Sequence, residues 1–309
     1  MTTADALKIR QDYYDNEKKT ADDEFMYTEA LTMLIRESGK PEYMAELAWY
    51  YCGLKRFDLE IKYLEMAAEC GYGPAYEELG YMWYYGQHGE KDYKKAFVYY
   101  TKGAEPDKYG NRGSLWCKYK LADMYRYGCA VEVDIERYVK MIEEAYEEVK
   151  NAQYLNEPYP EIALRYAGIL NERGTDDEAV ALLKRAKRFL AERLALDPFW
   201  GHIEVMGRIV RLLYKLAPFS PKEGNFYDLF HLVQEPGQYR VKLHGKVYTV
   251  EVAEEDGERV VGLDGKWYNR FEDLIQKAVI GGEKITQIFD EFEIMRPRKK
   301  PESSMSSNS

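Results

Sequence analysis

Apolar residues recur at helical spacing through the first 216 positions and switch to alternation beyond residue 237, so the chain predicts helices first and a small sheet afterwards. Within the helical part a short pattern returns four times: a large apolar residue, a small one, two unconstrained positions and an aromatic. It reads Leu47-Ala48-x-x-Tyr51, Leu79-Gly80-x-x-Trp83, Leu121-Ala122-x-x-Tyr125 and Ile162-Ala163-x-x-Tyr166. Positions i and i+4 share one helical face, and the small residue beside them admits a second helix at close range. That second helix is marked too. Gly80 to Ala96, Ala122 to Tyr138 and Ala163 to Ala179 each span 16 positions, and Ala48 to Glu60 spans 12. A further 7 positions reach Ala67, Gly103, Ala145 and Ala186 in turn. Seven residues make two helical turns, so both small sites face the same way.

Four helix-turn-helix units follow, and their motif resembles the Sel-1-like repeats, relatives of the tetratricopeptide repeats. The clearest copy is Leu79-Gly80-Tyr81-Met82-Trp83-Tyr84-Tyr85-Gly86 with Asp92, Lys95-Ala96, Tyr99-Tyr100, Lys102 and Ala104. The next keeps Gly128, Val131 and Asp134, with Arg137 in place of the usual lysine. His88 and Gly89 stand where the family has glycine and valine, and Tyr138 replaces a small residue. The resemblance covers Glu42 to Leu194 and implies a mainly α fold, a right-handed helix-turn-helix repeat solenoid of Sel-1-like or TPR-like units. Asp5 to Asn16 and Asp22 to Glu37 predict an N-terminal helix pair, and Trp200 to Leu216 carries a faint fifth first-helix pattern, Met206-Gly207-x-x-Val210.

Ala217-Pro218-Phe219-Ser220-Pro221-Lys222-Glu223-Gly224 is rich in turn formers and predicts a domain boundary. Beyond it, Tyr239 to Leu243 and Lys246 to Val252 flank His244-Gly245, a hairpin signal, while Asp256-Gly257 and Asp264-Gly265 mark further turns. Asn269-x-x-Glu272 has the form of a capping box opening a helix to Val279, ended by Gly281-Gly282. Glu283 to Ile294 repeats an apolar spacing and predicts a second helix. The expected organisation is therefore N-terminal helices over 1–41, repeats over 42–220, a small α+β domain with an antiparallel sheet and two helices over 225–295, and a disordered tail over 296–309.

Composition narrows the chemistry. There are 29 tyrosines, which in a helical chain signals aromatic packing repeated many times. The net charge is −10, with −3 from Pro221 onward and −7 before it, so neither part is a basic domain suited to nucleic acid. No apolar run reaches the roughly eighteen residues of a membrane span. The segment Met1 to Gln11 lacks a charged-then-apolar leader, and the expectation is a soluble, cytoplasmic protein. Its cysteines, Cys52, Cys70, Cys117 and Cys129, form no close pair, and His88, His202, His231 and His244 are scattered without metal-ligand spacing. Some secreted relatives in the resembled family carry a disulfide in each helix pair; regularly paired cysteines are absent here. No phosphate-cradling glycine loop or nucleophile elbow occurs. The expectation is no enzyme, no cofactor and no metal. The basic run Lys184-Arg185-Ala186-Lys187-Arg188 reads as a solvated helix face offsetting Glu143, Glu144, Glu147 and Glu148, with an acidic-partner site as the alternative.

In tetratricopeptide solenoids the first helix of each unit lines a concave surface, at two and at five to six positions after the large residue. The resemblance thus implies a groove lined by Trp49, Tyr81, Tyr84, Tyr85, Arg126 and Tyr127. Rings and arginine are the side chains most enriched at binding hot spots. The expected function is a protein-protein interaction scaffold or adaptor holding a protein or peptide partner, basic or amphipathic given the acidity, with neither nucleic acid nor membrane involved. Two alternatives stay open: an enzyme on a small-molecule, cell-wall or antibiotic substrate, as proposed for some family relatives, and an immunity-type inhibitor of a toxin. Trp267, Tyr268, Phe271 and Phe230 are candidates for a contact that caps the last repeat.

Overall fold

A computed structural model describes residues 1–87, 89–106, 112–221, 224–255 and 257–295. The chain divides into two compact units, residues 1–145 and 146–309. The division falls inside a helix and not at the turn-rich 217–224 stretch expected from the sequence. His88, Asp256 and the tail expected over 296–309 lie outside the described residues.

The first unit is a run of helices, each packed on its neighbour in sequence through the seventh: α1 (Thr3–Asp15), α2 (Ala21–Ser38), α3 (Pro41–Gly53), α4 (Phe57–Glu69), α5 (Gly73–Tyr85), α6 (Tyr93–Ala104) and α7 (Leu115–Tyr127), followed by the start of α8 (Ile135–Val149). Local chemistry fixes their ends. Thr2 with Asp5 and Thr20 with Asp23 form reciprocal capping boxes that open α1 and α2. Gly39, Gly86 and Gly128 close α2, α5 and α7 in left-handed conformation. The repeated small residues act as the motif requires. A Cβ on Gly80 would run into the Tyr100 ring, and one on Gly103 into the Cys117 sulfur and the Tyr76 Cβ. Glu60 stands at a small-residue position of the first unit and is fully buried, and burial beside its carboxylate pushes the Cys52 thiol up to about 11.

The motif aromatics are not uniformly core. Tyr125 is buried, whereas Tyr51, Trp83 and Tyr166 are half-buried. Two of these rings face cations: the Lys95 ammonium lies 3.7 Å from the Trp83 ring centre and the Arg137 guanidinium 4.2 Å from that of Tyr125. A chain of rings also joins α1 to α4. Tyr13 stacks on Tyr27 at 3.9 Å, Tyr27 meets Tyr50 at 5.6 Å, and Tyr51 stacks on Tyr63 at 5.8 Å. The Tyr27 hydroxyl donates to Glu46, 2.9 Å away, which Arg10 holds at 2.8 Å. The tyrosine content is thus chiefly a packing device: some polar tips are paired, as at Tyr27, while the buried Tyr100 and Tyr227 hydroxyls have no hydrogen-bond partner among the described residues.

The second unit holds α9 (Tyr159–Glu172), α10 (Asp176–Leu196) and α11 (Trp200–Leu216), then a 3-10 turn (Phe226–Asp228), α12 (Leu229–Leu232) and a five-stranded antiparallel sheet. The strands are β1 (Gly237–Leu243), β2 (Lys246–Glu255), β3 (Glu258–Leu263), β4 (Lys266–Tyr268) and β7 (Glu293–Ile294), in the order β4-β3-β2-β1-β7. His244-Gly245 forms the two-residue turn between β1 and β2, both residues at positive φ. Helix α13 (Phe271–Lys277) packs on β3, β4 and α11, and Phe230 of α12 lies over Gly207 of α11. Phe230 and Phe271 are buried, while Trp267 stays 46% exposed. The last long helix and the sheet module therefore share a core, and α11 in turn packs on α10 and α9, so the compact unit extends back through these helices.

Four local expectations are corrected. The capping box at Asn269 does not form: the cap position is Arg270, without a side-chain cap, and the helix ends at Lys277. Gly281-Gly282 instead makes the turn of a small hairpin between β5 (Val279–Ile280) and β6 (Glu283–Lys284). No helix forms over 283–294. Its apolar spacing is met by successive i to i+3 turns, seen in the Gln287-to-Lys284, Ile288-to-Ile285 and Glu291-to-Ile288 backbone bonds, that drop Ile285, Ile288 and Phe292 into the core. The basic run on α10 is also more than a solvated face. Arg185 donates to the carbonyls of Lys150 and Ala152, and Lys187 pairs with fully buried Asp228 at 2.5 Å.

Candidate functional site

Helices α5 and α7 are the first helices of consecutive repeats and lie against one another. Ser114 caps α7 by accepting from the Cys117 amide at 3.2 Å, and left-handed Gly86 and Gly128 end both helices at matching places. Tyr81, Tyr84 and Tyr85 sit at i, i+3 and i+4 on α5 and share a face. The Tyr81 and Tyr85 ring centres are 4.5 Å apart, and those of Tyr84 and Tyr85 4.9 Å.

Tyr84 forms the base of this cluster. It is half-buried, meets Tyr93 at 5.2 Å and Tyr100 at 6.4 Å, and its hydroxyl lies 4.0 Å from the Cys129 sulfur. Burial pushes its phenol well above the usual range, with the thiol of Cys129 and the charge of Asp123 adding to it. Tyr85 forms the exposed rim, at 43%. Across from it, the Lys120 ammonium of α7 donates to the Tyr85 hydroxyl at 2.7 Å and stands 4.8, 5.5 and 5.8 Å from the ring centres of Tyr85, Tyr119 and Tyr84. A cation is thus ringed by three aromatic side chains.

The other expected groove residues go elsewhere. Arg126 donates to the Tyr138 hydroxyl at 2.9 Å and lies 4.9 Å from that ring and 5.6 Å from Tyr127, so it ties α7 to α8. Tyr127 is 56% exposed beside it, and Trp49 is 48% exposed on α3. The structure therefore gathers Tyr81, Tyr84 and Tyr85 and adds Tyr119 and Lys120, which the sequence pattern did not single out. Lys120 precedes the large motif residue Leu121, outside the positions carried over from the resembled repeats; only the contact of α5 with α7 reveals it.

Acid and histidine meet at His244, in the β1–β2 turn, and Glu291, 2.5 Å apart and both exposed. Among the described residues no group of histidine, cysteine or carboxylate side chains is disposed to hold a metal ion, and no helix is long and apolar enough to cross a membrane.

No family model and no curated protein matches the sequence. Among solved structures, 21 chains match. One is a Sel1 repeat protein from Oxalobacter formigenes, with TM-score 0.46 and 18% identity over 68% of this chain and 79% of that one. Another is a protective antigen present in uropathogenic Escherichia coli strains, described as displaying an SLR fold, with TM-score 0.36 and 21% identity over 60% of this chain and 44% of that one. Both are repeat proteins of the kind the motif resembles. The chain itself is a mainly helical protein of helix-hairpin repeats followed by a small antiparallel sheet.

Proposed function

We propose that residues 1–145 act as a non-enzymatic binding scaffold, holding a peptide or protein segment against the face where α5 meets α7. The observation that carries this reading is the Lys120 ammonium set among Tyr84, Tyr85 and Tyr119 beneath a rim that leaves Tyr85 43% exposed. Tyrosine rings offer large contact area at low entropic cost, and their hydroxyls recognise backbone groups of a guest chain. The net charge of −10 favours a basic or amphipathic partner and gives salt-sensitive steering. Four cysteines without a disulfide suit a reducing, cytoplasmic setting.

The test is affinity capture from the native host followed by titration of the captured partner. Tyr85→Ala with Lys120→Ala is expected to weaken binding by about 1–4 kcal/mol per hot spot, with the helical circular-dichroism signal retained. Arg126→Ala should leave affinity in place, because that side chain is engaged with Tyr138. Equal affinity for the double variant and the parent would remove this face from consideration.

A further inference from the structure

A second surface, in the unit from residue 146 onward, has a composition the scaffold reading does not use. Helix α10 supplies Lys184, Lys187 and Arg188 to one wall of a cleft of about 560 Å³, a size that suits a small organic ligand. Spacings of three and four residues put the three cations on one helical face. Lys187 is already committed. Its ammonium lies 2.5 Å from both carboxylate oxygens of buried Asp228, which also accepts from the Tyr214 hydroxyl at 2.9 Å and the Asn225 amide at 2.7 Å. Lys184 and Arg188 are exposed and make no ion pair or hydrogen bond among the described residues.

Two carboxylates bring negative charge to a lining that also includes Tyr214, Ser220 and Asn225: Glu192 one turn beyond Arg188 and Asp290 from the turns before β7, both likewise without an ion pair or hydrogen bond among the described residues. The same cleft is lined by accessible apolar surface from Ala217, Pro218 and Phe289. A simple anion would meet the two carboxylates as well as the two cations, so the lining suits a ligand bearing both signs. From the level midway between Lys184 and Arg188 to that of Glu192 is six residues, roughly 9 Å along the helix axis. Three extended residues span roughly 10 Å.

We propose that this cleft binds a short peptide with free ends and apolar side chains, its carboxylate between Lys184 and Arg188 and its ammonium toward Glu192 and Asp290. The apolar side chains then cover Pro218 and Phe289. Lys187 takes no direct part; it holds Asp228, and through it Tyr214 and the backbone of Asn225, so that the cleft keeps its shape.

Isothermal titration of the full chain with trileucine tests this. Saturable binding is expected, at least tenfold weaker for Lys184→Glu with Arg188→Glu, and at least tenfold weaker for trileucine acetylated and amidated at its ends. Triglycine should bind weakly, because it leaves the apolar surface uncovered. Glu192→Gln should weaken trileucine but leave acetyl-trileucine, which has no ammonium, unchanged. The substituted side chains are exposed, and circular dichroism checks that each variant is folded. Absence of saturable binding at millimolar trileucine, equal binding of the blocked peptide, undiminished binding by the charge-reversed variant, or an equal loss of acetyl-trileucine in Glu192→Gln would each overturn the assignment.

Discussion

Arg193 shows how much one side chain in the second unit carries. It pairs with Glu161 at 2.9 Å, both nearly inaccessible, and donates to the carbonyls of Leu155 and Glu157. Arg165 donates to the Glu161 backbone carbonyl at 2.6 Å. Burial pushes the Glu161 carboxyl up while Arg193 and Arg165 pull it down, so its charge depends on its partners. Arg193→Ala is expected to cost about 3–5 kcal/mol, because it strands a buried carboxylate, and Arg193→Met combined with Glu161→Gln should cost less. Urea unfolding midpoints measure both. His202 adds a pH dependence. Burial, then the charge of Arg193, lowers its value from 6.5 to about 4, against a smaller upward pull from Asp197. The unfolded chain binds this proton more readily, so the stability from neutral His202 is complete above about 6.5 and is lost as pH falls toward 4. His202→Leu should flatten that part of the stability profile; an unchanged slope between pH 7 and 5 would show that His202 is not its source. The small residues of the repeat were legible at this scale, since each meets one local rule. Arg193 with Glu161, and Lys120 with Tyr85, were not: partners more than thirty residues apart leave no periodic trace.

At the scale of elements, helical glycines separate propensity from packing. Gly168 of α9 has open space around an added Cβ, whereas Gly80 and Gly103 face Tyr100 and Cys117. Gly168→Ala should therefore stabilise by about 0.5–1 kcal/mol. Gly80→Ala and Gly103→Ala should destabilise by about 1–3 kcal/mol through overpacking, despite the same gain in propensity. Thermal melts of the three single variants check the difference in sign. The same distinction explains the misread segment 283–294. Its apolar residues recur every three or four positions as a helix would require, but strand pairing of Ile294 with Val241 and the hairpin at Gly281-Gly282 bind its two ends into sheets. Consecutive tight turns then satisfy the same spacing. The β1–β2 hairpin was legible because a two-residue turn fixes register locally.

On the scale of the whole molecule, the fate of the C-terminal module follows from what it shares with α11. Phe230 lies on Gly207, Gln276 donates to the Pro198 carbonyl at 3.2 Å, and Lys187 pairs with Asp228, so a cut at residue 224 separates each partner from the other. Residues 225–295 produced alone are expected to lack a cooperative melting transition, whereas residues 146–295 should retain one. Cooperative unfolding of the shorter fragment would mark it as an independent domain. Of the four residues named from the sequence as capping contacts, Phe230 touches the last long helix directly, while Trp267 lies over Gly262 within the sheet.

The sequence by itself determined what short-range geometry can encode: the helix hairpins, their small-residue contact points, the N-terminal helix pair and the His244-Gly245 turn. Each depends on residues within two turns or one hairpin, where spacing and stereochemistry act directly. Only the tertiary structure decided which tyrosines converge, that Lys120 stands among them while Arg126 turns to Tyr138, and that the last helices and the sheet form one compact unit. Those outcomes depend on where distant helices meet, and an α-helix of mixed composition offers several faces on which that meeting could occur.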